Sequence, residues 1–244
     1  MGSMQTLSLP NPFEGPVFYL PVTTSTMATA RANPVHGALV ITGLQTEGRG
    51  RVAGRTWESP QDKNLLLTLT IRQDTLQAPL TSASIRTALS LVRLLEKDFA
   101  LQACVKWPND VLVNQRKISG ILCESSGGYL YIGVGVNCGQ KVFPEFRKRG
   151  ATSISIETAH DIKPLDLLPS FLPIWKSFLF EVKTHELPAE ANSRLCSIGR
   201  QVEVFEGDPR SGAVISGIAE GVGPAGELRL RQKSGKIRSV YSGE

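Results

Sequence analysis

Arginine and glycine alternate in one short segment whose chemistry suits an anion. Residues 48–57 read GRGRVAGRTW and follow a predicted strand. Glycine lets backbone N–H groups approach a ligand closely, and guanidinium groups hold phosphate or carboxylate oxygens through paired hydrogen bonds. No G-K-[ST] sequence closes the segment, so it is not a Walker A loop. We interpret this segment, the arginine loop, as a phosphate site; the alternative is an exposed loop with solvated arginines.

A lysine at the start of an apolar strand is the second candidate. Lys117 follows a tight turn at 114–115 and precedes the run Ile118–Leu122. An ammonium group that enters a buried strand loses hydration unless an anion meets it. Asp110 is a nearby carboxylate, so one interpretation is a Lys–Asp pair that stabilises a hairpin. The other is a clamp for a phosphate or carboxylate ligand.

The cysteines and histidines form no recognisable metal or nucleophile pattern. No C-x-x-C occurs, the three histidines lie far apart, and we predict no metal site. Each cysteine has apolar neighbours, which is typical of small buried thiols. We therefore expect four reduced cysteines and no disulfide: Cys104, Cys123, Cys138 and Cys196.

Length and composition indicate the class of protein in which these residues must be positioned. The chain has 244 residues, of which 41% are hydrophobic, enough for a buried core. It has no run of eighteen apolar residues and no signal-peptide pattern, so we expect a cytoplasmic protein without membrane contact. The net charge of +5 is too small for a bulk nucleic-acid binder. Residues 1–4 resemble a cloning remnant.

Hydrophobic periodicity predicts an α+β domain followed by a small β domain. Helices are expected after Thr24 and over 82–99 and 164–187, and strands over 38–42, 64–71, 104–106, 111–113, 117–124 and 130–136. From about residue 198, short alternating strands separated by Gly/Pro turns indicate a small β-barrel. We place the larger domain at 5–196 and the β domain at 197–244.

Several short motifs occur in one order and carry a family resemblance. They are Thr24-Ser25-Thr26, Gln45-x-x-Gly48-Arg49-Gly50-Arg51, Lys106-Trp107-Pro108-Asn109-Asp110, Lys117-x-x-Gly120-Ile121-Leu122-x-Glu124 and Gly133-x-Gly135-x-Asn137. The set closely resembles the biotin protein ligases, and the resemblance covers residues 20–244. It implies a mixed-sheet catalytic domain of the biotin/lipoate-ligase type with an SH3-like C-terminal domain.

The resemblance also implies a two-step reaction. Biotin and ATP would give biotinyl-5′-AMP and pyrophosphate, and the biotinyl group would then pass to a lysine of the biotin carboxyl carrier protein of acetyl-CoA carboxylase. Mg²⁺ is expected with the triphosphate, although no carboxylate cage is visible. A homodimer is possible. About twenty residues precede the first motif, too few for a helix-turn-helix domain there, so we expect no DNA binding.

Residue roles follow from the same resemblance, by position in the motifs. Lys117, Arg51 and Asp110 would be catalytic, with Lys117 bridging carboxylate and α-phosphate and Asp110 assisting the acceptor lysine. Biotin would contact Ser25, Thr26, Gln45, Gly48, Arg49, Lys117 and Gly120. ATP would contact Arg49, Arg51, Trp57, Lys117 and Asn137, with the Trp57 ring facing adenine.

One residue departs from the family pattern, and two other functions remain open. Met27 stands where the family commonly has asparagine. A lipoate ligase would share the fold and the acyl-adenylate chemistry, but the arginine loop and the Lys106–Asp110 motif favour biotin. A non-catalytic basic module that binds nucleic acid would leave Lys117 and the arginine loop unexplained.

Overall fold

One mixed sheet forms the larger part of the protein. The computed structural model describes residues 3–52, 54–144, 150–206 and 213–243. The sheet's strands are β1 Gln5–Thr6, β2 Val17–Thr23, β3 Leu39–Gln45, β4 Asn64–Arg72, β5 Ala103–Lys106, β6 Asp110–Val113, β7 Arg116–Ser126 and β8 Tyr129–Asn137. Their order is β1-β2-β3-β4-β8-β7-β6-β5, with β2 and β3 parallel and the other neighbours antiparallel. The predicted α+β class with a mixed sheet is confirmed; β1 and β2 were not predicted.

Helices cover the two faces of this sheet unequally. They are α1 Thr26–Ala32, α2 Ala83–Phe99, α3 Ile154–Thr158, α4 Leu168–Lys176 and α5 Leu187–Asn192. Alternate residues of β4, such as Leu67 and Leu69, join α2 and α4 in the main core. Thr68 points to the opposite face and hydrogen-bonds Thr26 of α1 at 2.8 Å. Within the described ranges, no helix has both the length and the apolar character needed to cross a membrane.

The prediction of one continuous helix over 164–187 is wrong, because the segment is divided into several helical pieces. A 3₁₀ turn, Pro164–Leu167, leads into α4, which widens into a π-helical turn at Ser177–Glu181, and α5 begins separately. The buried Arg86 of α2 donates to the carbonyls of Phe178 and Val182, each at 2.7 Å. These carbonyls lie at the end of the helical segment, where backbone acceptors lack helical partners, so a side chain distant in sequence terminates it.

Four strands form the small C-terminal domain as an antiparallel sheet. They are β9 Gln201–Glu206, β10 Ala213–Val222, β11 Leu228–Arg231 and β12 Ile237–Val240, in the order β12-β11-β10-β9. The predicted β domain is thus confirmed. The turn before β11 packs on the larger domain, since Trp107 Nε1 donates to the Gly226 carbonyl at 3.0 Å and Thr81 Oγ1 to that of Ala225 at 2.7 Å.

The expectation of four reduced cysteines is wrong. Cys104 of β5 and Cys196 form a disulfide, although 92 residues separate them. The segment before β9 runs beside β5 through a parallel bridge between Val105 and Leu195, which brings the two sulfurs together. Cys123 and Cys138 are free, and burial raises the pKa of both thiols to about 12.

Candidate functional site

A cavity of about 980 Å³ opens on the α1 side of the sheet. Strands β7 and β8, the start of α1 and the arginine loop enclose it. The proposed site residues that line it are Ser25, Thr26, Gln45, Arg49, Arg51, Trp57, Asp110, Lys117, Gly120 and Asn137. Gly48 is not among them: it is buried, and a side chain there would come 2.5 Å from the Trp57 carbonyl. Gly48 therefore lets the two sides of the arginine loop pack closely, next to the Trp57 backbone.

Short polar side chains form one end of the cavity. Thr26, in the first turn of α1, donates from its backbone N–H and its hydroxyl to Gln45 Oε1, at 2.8 and 3.0 Å. Gln45 reaches this position because it ends β3, which pairs in parallel with the strand leading into α1. Ser25 adds a hydroxyl at the helix N-terminus. Hydroxyl and amide groups in this arrangement suit a neutral ligand with both donors and acceptors.

Lys117 and Asp110 meet in the cavity wall. They belong to the hairpin of β6 and β7, whose turn residues Asn114 and Gln115 both have positive φ. Lys117 Nζ lies 2.6 Å from Asp110 Oδ1, with the two side chains 36% and 20% exposed. Within the described structure that oxygen accepts no well-aligned hydrogen bond, so charge rather than donor geometry holds the pair. An ammonium held this way can turn towards a ligand anion.

Trp57 packs directly against the sheet. A side chain at Gly135 would come 2.7 Å from Trp57 Cε2, and one at Gly120 would come 3.0 Å from Trp57 Cζ3. Glycine at 135 permits this close approach, whereas a side chain at 120 would require Trp57 or Lys117 to shift by a few tenths of an ångström. Lys117 Nζ lies 5.7 Å from the indole centroid, within cation–π range. Trp57 Nε1 is buried and makes no hydrogen bond to the described residues.

The arginine loop is a narrow hairpin that leads to Trp57. Arg49 pairs with Thr56 in an antiparallel bridge, and the Gly50 N–H donates to the Arg55 carbonyl at 2.8 Å. The Trp57 N–H donates to the Gly48 carbonyl at 2.9 Å. Arg49 and Arg51 are exposed residues of this hairpin and line the same cavity as Lys117. Three cations in one cavity can offset the charge of several anionic oxygens.

Asn137 uses its amide within the protein. Its Nδ2 donates to the Thr152 carbonyl at 2.9 Å, and its Oδ1 accepts from Asn64 at 3.3 Å. Thr152 in turn donates its backbone N–H to the Lys117 carbonyl at 2.9 Å. Asn137 is only 5% exposed, so in this structure it supports the backbone beside Lys117.

Two further pairs at the site escaped the sequence analysis. Arg31 and Glu124 form an ion pair at the edge of the cavity, and the Arg31 guanidinium lies 5.4 Å from the Tyr131 ring centroid. Trp107, inside the Lys106–Asp110 motif, bonds the C-terminal domain as described above. Both pairs join residues that are far apart in the chain, so no local sequence pattern indicates them.

Comparisons with known proteins agree with the geometry. Residues 19–140 match the biotin/lipoate A/B protein ligase family, and residues 197–244 match the biotin protein ligase C-terminal domain. A biotin--[acetyl-CoA-carboxylase] ligase of Paracoccus denitrificans is 32% identical over 82% of this chain and 86% of its own length. The bifunctional ligase/repressor BirA of Bacillus subtilis is 28% identical over 93% of this chain and 73% of its own length.

A solved structure shares the fold over most of this chain. The biotin protein ligase of Aquifex aeolicus, in complex with biotin and ATP, superposes with a TM-score of 0.83 at 26% identity, covering 93% of this chain and 96% of the other.

Proposed function

Since this chain belongs to the biotin/lipoate A/B protein ligase family, we propose that it activates biotin with ATP and transfers the product to a carrier protein. It is a ligase enzyme of the biotin protein ligase type. Its C-terminal domain matches that of biotin protein ligases, which favours biotin over lipoate as the acid. The same likeness favours an enzyme over a non-catalytic basic module.

The observation that carries the proposal is Lys117, which lines the same cavity as Arg49 and Arg51. A biotin carboxylate oxygen attacks the α-phosphorus of ATP, an acyl–phosphate bond forms, and pyrophosphate leaves. Both reactants are anions, so their approach must be offset by positive charge already in position. We propose that Lys117 bridges the carboxylate and the α-phosphate, while Arg49 and Arg51 hold phosphate oxygens.

The polar end of the cavity suits the other end of biotin. A ureido ring is neutral and carries two N–H donors and one carbonyl acceptor, and Ser25, Thr26 and Gln45 offer the complementary groups. Gly120, which lies against Trp57 and Lys117, would contact the chain between ring and carboxylate. Gly48 acts through the loop backbone, and Asn137 acts on the nucleotide side by holding the backbone next to Lys117. The contact between Trp57 and adenine stays a prediction.

Magnesium would enter with ATP. Among the described residues, no group of three or more His, Cys, Asp or Glu side chains could hold a metal ion. The chain thus offers no dedicated cage there, and the phosphate oxygens are the hard ligands that Mg²⁺ prefers.

The acceptor is a lysine on a folded carrier domain, which we propose to be the biotin carboxyl carrier protein of acetyl-CoA carboxylase. The lysine nitrogen attacks the acyl carbon of biotinyl-5′-AMP, and AMP leaves. Asp110 lies beside Lys117 and can accept the proton that the incoming amine must lose. A homodimer and the lack of specific DNA binding stay predictions, which light scattering and gel-shift assays can check.

One assay tests the activity directly. The protein is incubated with ATP, Mg²⁺ and either biotin or lipoate, and the acyl-adenylate is measured by mass. We expect biotinyl-5′-AMP, and transfer to a carrier domain once it is added. Lipoyl-AMP formed in preference would replace the proposal with lipoate ligation, and no adenylate with either acid would refute it.

A further inference from the structure

The C-terminal domain contacts the arginine loop through Arg51. Arg51 donates a hydrogen bond from Nη2 to the backbone carbonyl of Gly243, which follows β12. The two residues are 192 positions apart and belong to different domains. Since Arg51 also lines the cavity, this bond connects the C-terminal domain to the nucleotide side of the proposed active site.

The Gly243 carbonyl is held in place by tight packing. Gly243 is buried against β9, and a side chain there would come 2.3 Å from Val204 Cγ1 and 3.0 Å from the Phe205 carbonyl. Only glycine lets the backbone lie so close to β9. The position of the carbonyl therefore depends on the absence of a side chain at this residue.

The domain that carries Gly243 is itself anchored to the catalytic sheet. Trp107 and Thr81 donate to the carbonyls of Gly226 and Ala225, at 3.0 and 2.7 Å. Trp107 is three residues from Asp110 and only 8% exposed. The C-terminal domain thus has a fixed contact on the sheet side of the cavity and a second contact on the loop side.

From these contacts we propose that Gly243 is a positioning residue for Arg51, an inference that rests on the proposed function. A guanidinium has five N–H donors in a rigid fork, so one bond to a fixed acceptor sets the direction of the others. The acceptor is a neutral carbonyl, so this bond orients Arg51 without cancelling its charge. Arg51 then meets the phosphates of ATP already aligned, and less ordering is needed on binding.

The test compares Gly243→Val with a matched control, Ser242→Val, at the exposed neighbouring residue. We expect Gly243→Val to raise the KM for ATP about tenfold and to weaken binding of a non-hydrolysable ATP analogue similarly. The KM for biotin should change less than twofold, and Ser242→Val should match the wild type. Equal effects of the two valines, or an equal rise in both KM values, would overturn the proposal.

Two further variants separate positioning from loss of folding. Gly243→Ala should weaken analogue binding, and adding Val204→Ala, which removes the Cγ1 atom in the way, should restore it at least partly. In an Arg51→Gln background, Gly243→Val should have no further effect on analogue binding. No rescue, or an undiminished effect without Arg51, would overturn the proposal. A wild type that binds the analogue but forms no biotinyl-5′-AMP would instead refute the proposed function, and the binding series would still decide the role of Gly243.

Discussion

Two walls of one cavity are built by different means. On the sheet wall, Gly120 lies in the part of β7 that pairs with β8 without interruption from Ser119 to Ser126, and Lys117 pairs with Leu112 of β6 beside a register shift. On the loop wall, the contacts of the described residues include backbone bonds within the arginine loop and the bond from Arg51 to Gly243. Strand pairing positions the residues of the sheet wall. Bonds within a hairpin loop and a bond to the C-terminal domain position the residues of the loop wall.

The difference indicates that the two walls have different functions in the reaction. Charge that must stabilise a transition state works best when it is held rigidly before the reaction, which a strand provides. A wall that admits substrates and then excludes water from a reactive anhydride must open and close, which a hairpin loop outside the sheet permits. Trp57 lies where the walls meet, in contact with Gly120 and Gly135.

Loss of Lys117 should have the largest effect, because it removes the central charge of the sheet wall. We expect Lys117→Ala to slow single-turnover formation of biotinyl-5′-AMP by a hundredfold or more, about 3 kcal/mol. The thermal midpoint should stay near that of the wild type, since the side chain is partly exposed. Lys97→Ala, on the exposed face of α2, is the control. A rate within threefold of the wild type would make Lys117 a structural lysine.

Asp110→Asn should affect the second half-reaction more than the first. The amide keeps the shape of the side chain but cannot take a proton from the acceptor lysine. We expect transfer from preformed biotinyl-5′-AMP to slow about tenfold, with adenylate synthesis slowed about twofold. Both steps are measured in single turnover. Equal losses would show instead that Asp110 serves to position Lys117, its 2.6 Å partner.

Ligands should protect the loop wall and leave the rest of the chain unchanged. We expect tryptic cleavage after Arg49, Arg51 or Arg55 to slow about fivefold with saturating biotin and ATP, because closure removes the open state that a protease attacks. Cleavage after Lys233, an exposed residue in the turn before β12, is the internal control. If the loop is cut equally fast with and without ligands, it does not close over them.

The smallest effect is expected from the disulfide, because neither cysteine lines the cavity. Without reductant, the denatured chain should show two titratable thiols, Cys123 and Cys138, and four after reduction. The rate of biotinyl-5′-AMP formation should change less than twofold. Four thiols without reductant would contradict the pairing, and a large loss of rate on reduction would show that the link between β5 and the segment before β9 affects the site.

Local pattern was sufficient for most elements. The apolar run of β4 and the helical spacing in α2 are strong signals because burial of a face imposes their period. The turn at Asn114 and Gln115 also follows from local preference, since asparagine tolerates positive φ. The same local reasoning failed over 164–187, where the helix ends on the Arg86 guanidinium from another element.

The residue types and spacing by themselves determined the family resemblance, the sheet-and-helix alternation and the candidate groups of the cavity, because motifs and periods are properties of neighbouring residues. Only the tertiary structure decided how these groups meet. The Cys104–Cys196 disulfide, the engagement of Asn137 with Thr152 and the bond from Arg51 to Gly243 all join segments distant in the chain. Such contacts depend on sheet order and domain packing, which no local period encodes.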